Sequence, residues 1–394
     1  ASIAFGAIMV EKHITLSRDQ VGVDSAFSME PSEFKQLVRE TKIAWDSRGT
    51  ISYGPTISEN SNLSRRSLYI VQDIKKGDIL TKKNLKYGII GSGSWATAII
   101  KILSENLQEI NWYIRNKNNV DYIYKNHHNP NYLSSVELDV KKIHANNDIN
   151  EVCNKSDVLI IAVPSEFTNS VLNEISIDIS EKIVISAIKG IIPETNLLVG
   201  EHLEKNFQIK DRNFLVLGGP CHAEEVALEK LSYLTIGSSN KILAKKIASK
   251  FAFSYISVQT SDDVIGIEYS SMLKNIYAIA AGIAHGLGYG DNFQSVLMSS
   301  SIKEMNRFIE KRYLMKRDIN DSVYLGDLLV TGYSLFSRNR LFGNMIGKGY
   351  SVKYAKMEMS MIAEGYVATK KAYLLNSESN KKAKTPIIES VYKE

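Results

Sequence analysis

The chain has 394 residues, 44% hydrophobic and 23% charged, which is too long for one ordinary domain and has the balance of a globular protein. Its formal charge of +5 is small for this size and its signs are interspersed, which excludes non-specific nucleic-acid binding and leaves room for a local basic site that takes a phosphorylated small molecule. No apolar run reaches the roughly 18–20 residues that a membrane span needs, and Cys153 and Cys221, the two cysteines, are too few for a disulfide framework and form no CxxC pair for zinc or dithiol chemistry. Ala1 to Val10 is apolar but runs into Glu11, Lys12 and His13 without a basic leader or a small-residue cleavage site, so the expectation is a cytoplasmic protein.

In chain order, the first break in pattern falls near Lys86, where a lysine-rich stretch (Lys75, Lys76, Lys82, Lys83, Lys86) gives way to a compact apolar strand, Tyr87 to Ile90. From there short apolar runs alternate with helical ones. Tyr87–Ile90 is followed by a helix over Trp95 to Leu107, then by strands at Trp112 to Ile114, Asp157 to Val163, Ile183 to Ala187 and Phe214 to Leu217. That rhythm predicts βαβ units and a mainly parallel sheet. After about Asp263 the strand signals fade, and proline-free stretches predict helices over Ile267 to Ala284, Ser295 to Lys311 and Val352 to Leu375. The polar run Asn376 to Asn380 reads as a surface loop. The fold class expected is an α/β Rossmann-type dinucleotide-binding domain, residues 87–263, followed by an all-α C-terminal domain, residues 264–394.

Gly91-Ser92-Gly93-Ser94-Trp95-Ala96 directly follows the first strand and opens the first helix, which is the setting a dinucleotide-binding turn requires. Gly91 permits the tight turn, Gly93 lets the backbone approach a pyrophosphate, Ala96 allows close helix–strand packing, and the amides of the helix N-terminus face the anion. An NAD-binding site often carries Asp or Glu at the end of the second strand, whereas here Trp112-Tyr113-Ile114 ends in Arg115. A 2′-phosphate is therefore tolerable, and NAD and NADP both stay open as cofactors. A solvated surface arginine is the other reading of Arg115.

Two lysines follow. Lys189 sits just past the C-terminal end of the Ile183–Ala187 strand, the sheet edge where open α/β folds bind ligands; an exposed loop lysine is the alternative. Lys274 carries the one charge between Glu268 and His285 in an otherwise apolar helical stretch. At about 3.6 residues per turn it shares a face with Ser270, Ala278 and Ala281, opposite the larger apolar stripe. A buried ammonium needs an anionic partner or a lowered pKa, and either state suits a proton donor or acceptor, unless the side chain reaches past the helix to solvent. Farther on, Asp327 supplies a carboxylate, and Ser337-Arg338-Asn339-Arg340 combines a hydroxyl, guanidinium and amide suited to a phosphate dianion. By composition alone that cluster reads more readily as a surface helix start, and it becomes sharp only beside the glycine turn and the lysines.

Taken as a set, residues 86–394 resemble bacterial-type NAD(P)-dependent glycerol-3-phosphate dehydrogenases. The resemblance is carried by the glycine turn, Asn129-Pro-Asn-Tyr-Leu133, Ala162-Val-Pro-Ser165, Ile188-Lys189-Gly190, Gly218-Gly-Pro220 with Ala223-Glu-Glu-Val-Ala227, Leu273-Lys274-Asn275, Gly326-Asp327-Leu328, Ser337-Arg338-Asn339-Arg340 and Glu364-Gly365. It implies cofactor contacts from Gly91, Gly93, Ser94, Trp95, Ala96, Arg115, Lys189, Ala223, Arg338 and Glu364. It implies substrate contacts from Lys189, Gly219, Asp327, Ser337, Arg338 and Asn339, with Lys274 as catalytic acid/base, aided by Lys189 and Asp327, and no metal. The implied activity interconverts sn-glycerol 3-phosphate and dihydroxyacetone phosphate and supplies glycerol 3-phosphate for phospholipid synthesis. A homodimer stays open, as does a relative acting on another phosphorylated hydroxy substrate. One departure stands out: Cys221-His222 follows Gly-Pro where the family commonly has Ser or Thr and then Phe, which puts the usual hydroxyl contact in doubt. Ser300 or Ser301 also lies where the family often carries arginine.

The first 86 residues are similar instead to the C-terminal end of sialic-acid synthases. Phe5-Gly6-Ala7, Glu11-Lys12-His13-Ile14-Thr15-Leu16, Ser28-Met29-Glu30-Pro31, Arg65-Arg66-Ser67-Leu68-Tyr69 and Asp73-Ile74-Lys75-Lys76-Gly77-Asp78 carry the likeness. It implies a partial barrel and antifreeze-like-domain fragment, with His13 at a metal-binding position of that family. A synthase-type activity needs a whole barrel to supply its site, so the expectation is a remnant, a fusion or a docking appendage, with the apolar face around Ala4 and Ile8 left to pack elsewhere.

Overall fold

A computed structural model describes residues 2–3, 7–19, 22–47, 85–359 and 363–394, and the chain divides into two compact units, Ala1–Thr81 and Lys82–Glu394. In the first unit, Met29 N donates to the His13 carbonyl and Thr15 N to that of Met29, each at 2.9 Å, forming the Ile14–Met29 parallel bridge. Helix α1 (Pro31–Asp46) starts with Pro at its first turn and a reciprocal cap between Glu30 and Glu33, which satisfies amides a helix start leaves open. His13 Nδ1 lies 3.5 Å from Asp24 and its ring meets Phe27 edge-on. Ile8, Leu16, Val23 and Phe27 are exposed. The motifs at Phe5-Gly6, Arg65–Tyr69 and Asp73–Asp78, and the lysines before Lys86, lie outside the described residues.

The second unit is built on eight strands: β1 (Tyr87–Ile90), β2 (Ile110–Tyr113), β3 (Ile143–Asn146), β4 (Val158–Ile161), β5 (Ile183–Ser186), β6 (Phe214–Gly218), β7 (Ser232–Gly237) and β8 (Ile256–Ser261). They lie in the order β3-β2-β1-β4-β5-β6-β7-β8. β1 to β6 are parallel, β7 runs antiparallel to β6, and β8 is parallel to β7. The helices between them are α2 (Ser94–Asn106), α3 (Lys117–Asn126), α4 (Ile149–Asn154), α5 (Ser165–Leu172), α6 (Val199–Phe207), α7 (Ala223–Ala227) and α8 (Lys241–Phe251). Every residue of β1, β2 and β4 is buried, as expected of a parallel sheet covered on both faces. Alternation sorts the side chains: Ile89, Ile160, Ile185 and Leu215 join Ile99 and Leu103 of α2 in one core layer, while Ile90, Ile161, Val184 and Val216 join the other. This Rossmann-like sheet matches the sequence expectation; β3, β7 and β8 are additions that the apolar runs did not announce.

The remaining helices are α9 (Val264–Gly286), α10 (Asp291–Glu310), α11 (Asp327–Tyr333), α12 (Arg338–Gly347), α13 (Val352–Glu358), α14 (Glu364–Ser377) and α15 (Pro386–Lys393). α9 is the axis of this all-helical part. Ile267, Met272, Leu273 and Ile276 share the core layer of Ile90 and Val184, so sheet and helices are joined through one apolar interior. Asp263 caps α9 by accepting from Gly266 N at 3.0 Å, and its other oxygen accepts from Arg317 and from Tyr324, each at 2.7 Å. α9 and α12 touch backbone to backbone. A Cβ on Gly282 would lie 2.1 Å from the Arg340 carbonyl oxygen, and one on Gly343 would lie 2.1 Å from that of Ile279. Only hydrogen side chains permit that approach.

Two expectations are corrected. Val352–Leu375 is not one helix: α13 ends at Glu358 and α14 begins at Glu364, because Gly365 N donates to Asn339 Oδ1 at 2.8 Å and Gly365 seats against the Asn275 carbonyl of α9, a tertiary contact that overrides local propensity. Asn376 and Ser377 belong to α14 rather than to a loop. Buried Asn376 donates to the Ala383 carbonyl at 2.8 Å and to Thr385 Oγ1 at 3.0 Å and accepts from Ala383 N, so its polarity serves the interior. α9 is buried on all sides through its middle, Lys274 included, as a single charge in an apolar helical stretch led one to expect. Among the described residues no helix is long and apolar enough to cross a membrane.

Candidate active site

The turn between β1 and α2 is held from three directions. Gly91 has φ +125°, and a Cβ there would meet the Ala162 carbonyl oxygen at 2.3 Å. Trp112 Nε1 donates to the Gly91 carbonyl at 2.6 Å, and buried Asn129 donates to the Ser92 carbonyl at 3.1 Å and to Thr97 Oγ1 at 2.9 Å. By contrast Gly93 has no atom within 4 Å of its would-be Cβ. The turn is therefore tied down on its inner side and open on its outer side, where a phosphate could meet bare backbone at the head of a 13-residue helix.

That open side forms one wall of a cavity of about 310 Å³. Gly93, Ser94 and Trp95 enter it from the turn, Lys189 from the end of β5, Ala223 from the start of α7, Lys274 from α9, Asp327 from α11, Ser337, Arg338 and Asn339 from the head of α12, and Glu364 from the head of α14. Four of the residues singled out lie outside it. Gly91 and Ala96 are buried beneath the turn, and Gly219, at φ +112°, is buried with its α-carbon turned toward the Tyr233 carbonyl. Arg115 is exposed after β2. Tyr132, Phe167, Asn275, Thr331 and Phe336 also line the cavity and were not singled out. Tyr132 belonged to a quoted motif, and Thr331, one turn after Asp327, could have been found by helical spacing.

At the base of the cavity Lys274 Nζ donates to Asp327 Oδ1 at 2.5 Å, with both side chains at most 5% exposed. Burial lowers the Lys274 pKa to about 8; Asp327 opposes that shift and Lys189 adds to it. Asp327 follows directly on a π-helical turn, Ser322–Gly326, a backbone irregularity that sets where its side chain starts. Its second oxygen, Oδ2, is buried without a partner among the described residues. Lys189 lies 5.6 Å from the Trp95 ring centroid, within cation–π range. Arg338 Nη2 donates to Ser94 Oγ at 3.0 Å, tying the helical part to the glycine turn. Ser337 caps α12 by accepting from Arg340 N at 3.3 Å. Burial raises the Glu364 carboxyl above its usual range, against the field of Lys189 and Arg338 and a bond from the Ser165 backbone. Among the described residues no cluster of three His, Cys, Asp or Glu could hold a metal.

Residues 86–244 match the model of the NAD-dependent glycerol-3-phosphate dehydrogenase N-terminus, and residues 263–393 match that of its C-terminus. A glycerol-3-phosphate dehydrogenase (NAD(P)+) of Staphylococcus carnosus is 34% identical over 309 residues, 78% of this chain and 92% of that protein. The chain belongs to this dehydrogenase family. A Bacillus subtilis member is 35% identical over 78% of this chain and 89% of its own length. The crystal structure of the glycerol-3-phosphate dehydrogenase of Coxiella burnetii superposes with a TM-score of 0.71 at 25% identity, covering 78% of this chain and 94% of that one. A Plasmodium falciparum glycerol-3-phosphate dehydrogenase gives 0.71 at 29%, over 78% and 90%. Residues 1–53 match a different family, NeuB.

Proposed function

We propose that the chain interconverts sn-glycerol 3-phosphate and dihydroxyacetone phosphate with NAD(H) or NADP(H), and that Lys274 is the group that moves the proton. The buried Lys274–Asp327 pair at the base of a cavity between the glycine turn and Arg338 carries this reading. The residues present fit a dinucleotide. Gly93 leaves open backbone where a pyrophosphate needs it, Ser94 and Trp95 line the approach, and exposed Arg115 leaves a 2′-phosphate admissible. When bound, the nicotinamide supplies or accepts the hydride.

The side chains do the rest. In reduction the Lys274 ammonium donates its proton to the oxygen that was the ketone, and in oxidation the free amine takes the hydroxyl proton. A pKa of about 8 keeps both forms accessible near neutrality. Asp327 holds the ammonium in place, and Lys189 adds positive field at the developing oxyanion. Arg338 and Asn339, with Ser337, grip the phosphate, and that remote binding energy aligns the reacting carbon. Asn339 is aimed by its bond from Gly365 N. Ala223 and Glu364 border the cofactor, and Gly219 shapes the substrate loop from beneath.

We further propose a division of the second unit near Asp263, the cap of α9; a cytoplasmic location, consistent with two free buried thiols; and a homodimer, consistent with exposed Leu287, Tyr289, Phe293 and Val296 around the α9–α10 turn, which light scattering on the purified chain tests. The activity test is the fall in NADH or NADPH absorbance on adding dihydroxyacetone phosphate to the full chain and to Lys274→Ala. Oxidation that the variant loses supports the reading; no oxidation with either cofactor, or an unaffected variant, refutes it.

A further inference from the structure

His222 stands at the entry to α7, in the wall of the same cavity as Lys274 and Asp327. Its ring bonds to the backbone of Val330 on α11, while Nε2 is buried and has no partner among the described residues. Burial, Lys189 and Lys274 push its pKa down to about 4, so the ring is neutral at physiological pH. With the proton on Nδ1 and directed at the Val330 carbonyl, Nε2 is a bare acceptor.

Many polar groups of this cavity are donors or are already committed. Lys189, Lys274 and Arg338 are donors, Asp327 Oδ1 is taken by Lys274, Asn339 Oδ1 by Gly365 N, and Glu364 accepts from the Ser165 backbone. Asp327 Oδ2, beside Lys274 and without a partner among the described residues, is the competing acceptor that the test below separates from His222. The neighbouring Cys221 thiol, its pKa pushed up to about 12 by burial, is a weak hydrogen-bonding group. A three-carbon phosphorylated ketone seated with its phosphate at Arg338 and its carbonyl at Lys274 has one polar group left, the terminal hydroxyl, and that group needs an acceptor. We propose that Nε2 of His222 accepts the hydrogen bond of this hydroxyl, so that His222 selects a terminal CH2OH over a terminal CH3. The proposal rests on the reading of the site given above. Phe336, whose ring centroid lies 6.4 Å from that of His222, leads directly into Ser337–Asn339, so phosphate grip and hydroxyl acceptor share one wall.

The test compares kcat/KM of the full chain for dihydroxyacetone phosphate and for hydroxyacetone phosphate, which lacks the terminal hydroxyl, in the native protein, His222→Phe and His222→Gln. The expected result is a native preference for dihydroxyacetone phosphate that falls about tenfold in His222→Phe, the size of one good hydrogen bond, and recovers in part in His222→Gln, which restores an acceptor oxygen. An unchanged preference in His222→Phe overturns the assignment and points to Asp327 Oδ2. Equal slowing on both compounds in His222→Phe and His222→Gln also overturns it, leaving a packing role. If the native protein reduces neither compound, the dehydrogenase reading itself fails, an outcome distinct from both.

Discussion

Replacing Asp327 by Asn removes the charge that keeps Lys274 protonated while preserving shape. In the native site the Lys274 pKa is lowered to about 8 by burial, and the carboxylate 2.5 Å away limits the fall. A hydrogen bond to a charged group contributes about 1.5–3 kcal/mol, and about 1.4 kcal/mol corresponds to one pH unit. Lys274 in the variant therefore titrates about one to two pH units lower. Reduction of dihydroxyacetone phosphate uses the ammonium, so the native rate is level at low pH and falls above about pH 8, and in Asp327→Asn the fall begins about one to two pH units earlier. Oxidation of glycerol 3-phosphate uses the free amine, and its rise moves the same way. The assay is the initial rate of NADH or NADPH consumption at saturating substrate from about pH 5.5 to 9.5. An inflection that stays in place, or moves upward, means that Lys274 is not the titrating group or that Asp327 does not hold its proton.

Arg338→Ala removes charge-assisted bonds to the phosphate and should raise KM for dihydroxyacetone phosphate about 10- to 100-fold; steady-state kinetics with an unchanged KM would place the phosphate elsewhere. Gly343→Ala puts a methyl 2.1 Å from the Ile279 carbonyl, and overpacking of about 1–3 kcal/mol should lower the denaturant midpoint and, by displacing Arg338 and Asn339, raise KM; a native midpoint would show that α12 can shift freely. Glu268, buried with its carboxyl raised from 4.5 to about 8, accepts from Gly200 N at 3.1 Å. Because the folded state holds that proton more tightly than the unfolded one, its contribution is fully present below pH 4.5 and is lost as pH rises to about 8, at up to about 1.4 kcal/mol per pH unit. Glu268→Gln keeps the acceptor oxygen and should flatten this part of the stability–pH curve measured by urea unfolding; parallel curves would mean the carboxyl is not protonated in the native state.

The features that the sequence determined by itself are those whose cause is local. The glycine turn was legible because a four-residue apolar strand, two spaced glycines and an apolar helix are consecutive, and each is required for the chain to turn tightly against a phosphate. Lys274 was legible because a single charge in the long apolar stretch of α9 has no inexpensive place to go. The parallel core strands were legible because strands covered on both faces must be apolar throughout. The edge strand β8, whose residues are mostly exposed or half-buried, lacks that signature, and so it was missed.

The tertiary structure alone decided which groups meet. Asp327 lies 53 positions from Lys274 and Arg338 lies 244 positions from Ser94, and no spacing rule spans such separations. Their encounter depends on how closely α9 and α12 can pack, which is set by Gly282 and Gly343 seating against opposing carbonyls. The same packing seats Gly365 against α9 and α12, just past the break in the Val352–Leu375 helix, and Asn376 turns inward to bond Ala383 and Thr385. Propensity acts within a few residues, whereas burial and the pairing of buried polar groups act across the folded chain, and where they conflict the larger free energy of the buried contact wins.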